Sequence, residues 1–267
     1  MKRIYFILAI SMTLFSCKDN AKADENSEAI TEPPQQEIDG GEAADDIGFA
    51  INPVQHASMV LQWDDAIIYV DPVGGKELFS QYTAPSLILV TDIHQDHMDA
   101  TTLAAIMTDS TKLITPQAVA DKLPQDLKSK AIVMNNGATK NELGISIEAM
   151  PMYNLREEAK KFHEKGRGNG YVLEKDGKRI YISGDTEDIP EMRNLKNIDI
   201  AFVCMNLPYT MPVEKAAEGV LAFRPKTVYP YHYRGTDGLS DVDKFKNLVE
   251  AGNPDIKVTQ LDWYPKQ

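Results

Sequence analysis

Four potential metal ligands fall within six residues of the stretch Thr91-Asp92-Ile93-His94-Gln95-Asp96-His97-Met98-Asp99. Asp92, His94, Asp96 and His97 stand at i, i+2, i+4 and i+5, a spacing that lets one loop aim two carboxylates and two imidazoles to the same side. Such a mixed nitrogen and oxygen donor set suits borderline to hard divalent cations such as zinc, iron or manganese. The plainer account is a polar loop that caps a helix at Asp99. A cap needs one carboxylate and leaves both imidazoles unexplained. The loop follows the apolar run Leu87-Ile88-Leu89-Val90, which reads as a buried strand, so the candidate ligands sit at a strand end.

Two later segments repeat that layout, and a third candidate ligand precedes a strand. Arg179-Ile180-Tyr181-Ile182 leads into Ser183-Gly184-Asp185-Thr186, where glycine lets the backbone approach closely and a strand-end carboxylate can bridge two cations. Alone, Gly-Asp-Thr would be an ordinary turn with a helix cap. Thr227-Val228-Tyr229-Pro230-Tyr231 leads into His232, and His163 precedes the glycine-rich Gly166-Arg167-Gly168-Asn169-Gly170 and the strand-like Tyr171-Val172-Leu173-Glu174. For His163 the competing account is a solvated loop side chain among Lys160, Lys161, Glu164 and Lys165.

Asp92-x-His94-x-Asp96-His97 resembles the His-x-His-x-Asp-His loop of the metallo-β-lactamase-fold hydrolases, with Asp92 in place of the first histidine. His56-Ala57-Ser58 resembles a segment of the branch that includes L-ascorbate-6-phosphate lactonase. The resemblance implies an α/β chain with the four-layer αββα sandwich. It implies one metal held by Asp92, His94 and His163, a second by Asp96, His97 and His232, and Asp185 bridging them. Many relatives carry their third histidine where this chain has Pro151-Met152-Tyr153-Asn154, so Asn154 is the alternative to His163 as ligand, or a support behind it. His56 is expected behind the ligands. All five histidines of the chain thus fall in motif positions, which leaves none for a separate base.

The implied chemistry is a hydroxide shared by two divalent ions, zinc first and manganese or iron as alternatives, attacking a carbonyl or phosphoryl ester. Asp96 would orient it and carry a proton to the leaving group, making Asp96 and Asp185 the catalytic carboxylates. Tyr209, Arg167 and Arg234 are candidate contacts to a small-molecule substrate, a lactone or a phosphodiester-like ester. β-Lactams fit less well with Asp92 and Asn154. Two other classes compete: a metal-binding envelope lipoprotein with an incomplete site and no turnover, and a diiron redox module.

The elements that must position these residues are legible in outline. Residues 47–51, 59–63 and 66–70 read as an antiparallel meander, with Asp71-Pro72 as a strand stop. Capped helices are expected from Asp99 and from Pro116, further strands at 112–115, 131–134 and 145–150, and a hairpin at Asp176-Gly177. A strand over 198–204 and the loop Met205-Asn206-Leu207-Pro208-Tyr209-Thr210-Met211 would wall the pocket. Helices over 213–223 and 241–250 and a strand over 256–261 complete the alternation.

Composition sets the boundaries. Lys2 and Arg3 precede an apolar run over 4–15, and Leu14-Phe15-Ser16-Cys17 resembles a bacterial lipobox, implying a signal peptide over 1–16 and a lipid anchor on Cys17. Residues 18–47 hold ten acidic residues and two lysines, so most of the net charge of −12 lies there. Residues 17–46 therefore read as a solvated tether and 47–267 as the hydrolase domain, exported and membrane-anchored in the cell envelope. An acidic body without a basic, aromatic-interleaved patch excludes nucleic acid as a partner. Cys204 lies in an apolar run and reads as a small buried hydrophobe.

Overall fold

The structure, a computed structural model, describes residues 42–44 and 48–264. The signal-like segment and Cys17 lie outside the described residues. The first sheet begins with β1 (Glu42–Ala44), paired antiparallel to β2 (Phe49–Gln55). That strand lies inside the stretch read as tether, so the ordered body starts before residue 47. β2, β3 (Ser58–Trp63) and β4 (Ala66–Val70) form the expected meander. β5 (Leu87–Leu89), β6 (Lys112–Thr115) and β7 (Ala131–Val133) then extend the sheet in parallel, in the order β1 to β7.

Alternation along these strands assigns their two faces. Met59, Leu61, Ile68, Leu87 and Leu89 join the large core between the sheets, whereas Val60, Tyr69 and Ile88 pack with Leu103, Val119 and Leu127. The latter three belong to α1 (Ala100–Ile106), α2 (Gln117–Lys122) and α3 (Gln125–Lys128) on the outer face. Single-residue alternation is what a sheet covered on both faces requires. Asp99 caps α1 by accepting from Thr101 N at 2.9 Å and Thr102 N at 3.2 Å.

The second sheet starts with β8 (Thr139–Glu142), β9 (Ile145–Met152), β10 (Gly168–Lys175) and β11 (Lys178–Ile182), all antiparallel. It continues in parallel through β12 (Ile200–Cys204) and β13 (Thr227–Tyr231). A two-stranded ribbon, β14 (Arg234–Gly235) with β15 (Gly238–Leu239), follows, and β16 (Lys257–Val258) closes the sheet's far edge. β16 is shorter than the expected run over 256–261, and β8 has no apolar residue that would have marked it. On the outer face α4 (Pro190–Arg193), α5 (Val213–Phe223) and α6 (Val242–Gly252) supply Met192, Val220, Phe223, Phe245 and Val249 to the core. The result is the expected αββα order. Among the described residues no helix is long and apolar enough to cross a membrane.

Parallel strands deliver their C-terminal ends to one rim. Asp71 follows β4, Asp92 follows β5 and its neighbour Val90, Asp185 follows β11, Asn206 follows β12, and His232 follows β13. Ligands at strand ends in two sheets therefore converge where the two rims meet.

Candidate metal centre

Three groups of side chains bring ligand atoms within 4.8 Å of one another: Asp92 with His94 and His163; His97 with Asp185 and His232; and His56 with Asp96 and His232. Asp185 joins the first two. Its Oδ2 lies 3.1 Å from His163 Nε2 and 3.4 Å from His97 Nε2, and its Oδ1 lies 3.2 Å from His232 Nε2. Asp96 reaches across as well, with Oδ2 3.4 Å from His232 Nε2 and 3.9 Å from His97 Nε2. Asp92, His97, His163, Asp185 and His232 are buried.

Several features fit a divalent cation. His97 Nε2 and His232 Nε2 face each other at 3.0 Å, although two imidazole nitrogens satisfy one another only when one of them carries the proton. His163 Nε2 and Asp185 Oδ1 are buried without a hydrogen-bond partner among the described residues. Buried polar atoms that converge without partners are costly unless a bound group completes them, and N and O donors at this spacing suit a metal. Burial alone would lower His97, but the Asp185 and Asp71 carboxylates hold its pKa well above the usual histidine value. Asp185 is held well below the carboxylate range, because His232, His97 and His163 outweigh its burial. Asp96 is also held low against its burial, by hydrogen bonds from His232 and His56.

The groups behind the ligands fix their orientation. Asp71, read from sequence only as a strand stop, is wholly buried beneath His97. Its Oδ1 accepts from Thr91 N at 2.7 Å, and its Oδ2 accepts from Thr91 Oγ1 at 2.6 Å and His97 Nδ1 at 2.8 Å. A carboxylate on Nδ1 holds the tautomer that leaves Nε2 bare for a metal. Burial raises the Asp71 pKa against the opposing pull of His97. His163 is set in the same way, Nδ1 donating to the Tyr209 carbonyl at 3.1 Å. Asn154 Nδ2 braces this arrangement by donating to Tyr209 O at 2.6 Å and Ala159 O at 2.9 Å. The structure therefore places His163 in the Asp92 and His94 group and Asn154 behind it.

His56 occupies the turn between β2 and β3 at φ 53°. Its Nε2 is 3.2 Å from Asp96 Oδ2, and its Nδ1 is 2.8 Å from the Tyr264 hydroxyl. Asp71 and His232 share this left-handed backbone, at φ 44° and 46°. Such non-glycine conformations cost free energy and cluster where side-chain direction matters. Gly184, at φ 61°, turns the chain into Asp185 in a space where a Cβ would meet Met152 Sδ at 2.5 Å and Asn169 O at 3.1 Å.

Arg167 departs from the sequence expectation. Its Nε and Nη2 donate to the two Asp92 oxygens at 3.1 and 2.9 Å, and Nη2 also meets the Phe162 carbonyl. The guanidinium is spent on a candidate ligand and does not line the cavity, so it is not placed as a substrate contact. His94, Asp96, His163, Asp185 and His56 do line that cavity of about 410 Å³, together with Asn206, Phe162, Tyr209 and Arg234. Besides Asp71, sequence reasoning missed Thr91 and Tyr264. Thr91 adjoins the ligand loop, which was a usable signal, but Tyr264 lies 208 residues from His56 and carried none.

Residues 50–232 match the family described as the beta-lactamase superfamily domain. A UPF0173 metal-dependent hydrolase of Pyrococcus abyssi is 32% identical over 206 residues, which make up 73% of this chain and 89% of that one. The crystal structure of a protein named as a metal-dependent hydrolase from Parabacteroides distasonis superposes with a TM-score of 0.72 at 37% identity, over 81% of this chain and 94% of that one. Igni18, a metallo hydrolase from the archaeon Ignicoccus hospitalis, superposes with a TM-score of 0.67 at 22% identity, over 80% and 94%. At that identity the likeness concerns the fold alone.

Proposed function

The chain belongs to the beta-lactamase superfamily domain family and is a metal-dependent hydrolase, and we propose that it hydrolyses a carbonyl or phosphoryl ester at a site for two divalent cations joined by Asp185. The observation that carries this reading is the placement of Asp185, whose two oxygens face nitrogens from both buried ligand groups. Asp92, His94 and His163 would hold one ion, and Asp96, His97 and His232 the other. Zinc suits this donor set first, with manganese or iron compatible. Two such ions would lower the pKa of a shared water toward neutrality and polarise the scissile oxygen.

The protein's own groups do the rest. Asp96 is held ionised by its histidine contacts and faces the cavity with a side chain 41% exposed. Its Oδ2 is therefore placed to accept a proton from the attacking water and pass it to the leaving group. Asp71 and the Tyr209 carbonyl keep the bare nitrogens of His97 and His163 aimed inward. The His56-Ala57-Ser58 segment favours a lactone as the first substrate to try.

One observation favours a second reading, a metal-binding protein without turnover: the Arg167 fork occupies Asp92 and weakens the first position. Elemental analysis of the full-length chain, wild type and Asp185→Ala, separates the two. Two ions per wild-type chain, fewer in the variant, and turnover of lactones or phosphodiesters by the zinc-loaded, iron-free protein support the dinuclear hydrolase. One ion or none removes it, and a need for iron would point to redox chemistry. The lipobox-like Cys17 adds the proposal that the enzyme is lipid-anchored in the cell envelope; a Cys17→Ala chain that still fractionates with membranes would refute it.

A further inference from the structure

Arg234 opens β14, two residues after His232, and lines the cavity without meeting a carboxylate at ion-pair distance among the described residues. Its backbone N–H donates to the Tyr264 hydroxyl at 3.0 Å, and its guanidinium lies 4.2 Å from the centroid of the Tyr264 ring. A planar cation held by its face keeps the N–H groups around its edge available for an oxyanion. Tyr264 is itself fixed by His56, so the guanidinium is tied through one aromatic ring to the ligand cluster.

The ribbon carrying Arg234 is locked to the cavity wall. A Cβ at Gly235 would lie 1.9 Å from Leu207 O, Thr236 N donates to that oxygen at 3.1 Å, and Thr236 Oγ1 donates to the Tyr209 hydroxyl at 2.9 Å. Tyr209 in turn meets Phe162 edge to face, with centroids 5.1 Å apart. The cavity thus presents a cation and an apolar aromatic wall in fixed relation. Among the described residues its only lining carboxylates, Asp96 and Asp185, both face histidines.

We infer that Arg234 binds an oxyanion of the substrate, a carboxylate or a phosphate group separate from the scissile bond, while the substrate's apolar part rests on Phe162 and Tyr209. The substrate class is then an anionic ester or lactone. The identity of the scissile bond rests on the hydrolase reading; the anion subsite does not.

The test titrates the full-length, metal-loaded chain by calorimetry with four stable anilides that differ only at the far end of one alkyl chain: carboxylate, phosphate monoester, carboxamide or ammonium. Wild type is expected to bind an anionic form about tenfold or more tighter than the carboxamide, the usual scale for a charge-assisted hydrogen bond. Arg234→Gln removes the difference and Arg234→Glu turns the preference toward the ammonium form. Lys112→Glu, at the exposed start of β6 and outside the cavity lining, makes the same change of charge and leaves the preference intact. Whichever of carboxylate and phosphate binds tighter identifies the anion. No preference in wild type, or a preference unchanged in Arg234→Gln, overturns the inference. A preference that tracks Arg234, in a protein holding two ions that fails to hydrolyse the matching phenyl esters, keeps the subsite and removes the proposed ester hydrolysis.

Discussion

Replacing Asp71 by asparagine keeps the shape of a buried side chain and removes its charge. In the native arrangement both oxygens accept: one takes Thr91 N–H at 2.7 Å, the other Thr91 Oγ1 at 2.6 Å and His97 Nδ1 at 2.8 Å. A carboxamide can keep only one side of that pattern. With its oxygen on Thr91 N–H, its NH₂ faces His97 Nδ1 and draws the imidazole proton to Nε2, where it blocks the nitrogen aimed at the centre. Rotated by half a turn, it sets NH₂ against Thr91 N–H. Loss of one hydrogen bond to a charged group is worth about 1.5–3 kcal/mol. That corresponds to a binding constant weaker by about 10- to 150-fold, in line with the effect of outer-shell changes at metal sites.

The assay is competition with a fluorescent chelator for zinc, on wild type, Asp71→Asn and Thr91→Val, with far-UV circular dichroism to verify the fold. Zinc held through His97 should be bound about 10- to 100-fold more weakly in Asp71→Asn, and under the proposed two-ion arrangement the ion held by Asp92, His94 and His163 should change little. Thr91→Val removes a hydroxyl and leaves the carboxylate, so its loss should be smaller. A folded Asp71→Asn protein that binds zinc with wild-type affinity would refute the claim that Asp71 sets the tautomer of His97.

Gly184→Ala forces a side chain into a left-handed backbone and against Met152 and Asn169, so chemical denaturation should show a loss of about 1–3 kcal/mol. An unchanged midpoint would mean that the turn into Asp185 is laxer than its geometry implies. Burial pushes the Cys204 thiol up to about 12. Iodoacetamide at pH 8 should therefore leave the peptide carrying Cys204 unmodified in the folded protein and label it in denaturant, as read by mass spectrometry. Because the fold prefers the neutral thiol, the associated stability is complete below the ordinary thiol value and is lost as pH rises from there toward 12.

The ligand loop was legible because Asp92, His94, Asp96 and His97 fall within six residues and follow a plain apolar strand. Asp185 and His232 were legible for the same reason, three residues and one residue past a strand. Asp71 also stands one step past a strand. It was read as a stop because only the parallel pairing of β4 with β5 sets it under His97, and pairing partners are not written in local spacing. Arg167 shows the converse limit. Its chemistry suits a substrate anion or a ligand carboxylate equally, and the choice depends on Asp92, 75 residues away. The αββα order followed from alternating strands and helices. β8 escaped because a short, mostly exposed edge strand buries too little to need an apolar pattern, and β1 because it lies in a stretch whose acidic composition reads as tether.

Each ligand group draws on both sheets. Asp92 and His94 come from the first and His163 from the second; His97 meets Asp185 and His232, and His56 with Asp96 meets His232. A half-made chain therefore contains no complete group, and a cation can neither template the first sheet nor be captured before the second has docked on it. Contacts of such long sequence separation form late in folding, after the loop-closure entropy has been met. A cation is then first bound only once both sheets are in place, so the metals available where folding finishes, as well as the ligand set, bear on which ion enters first.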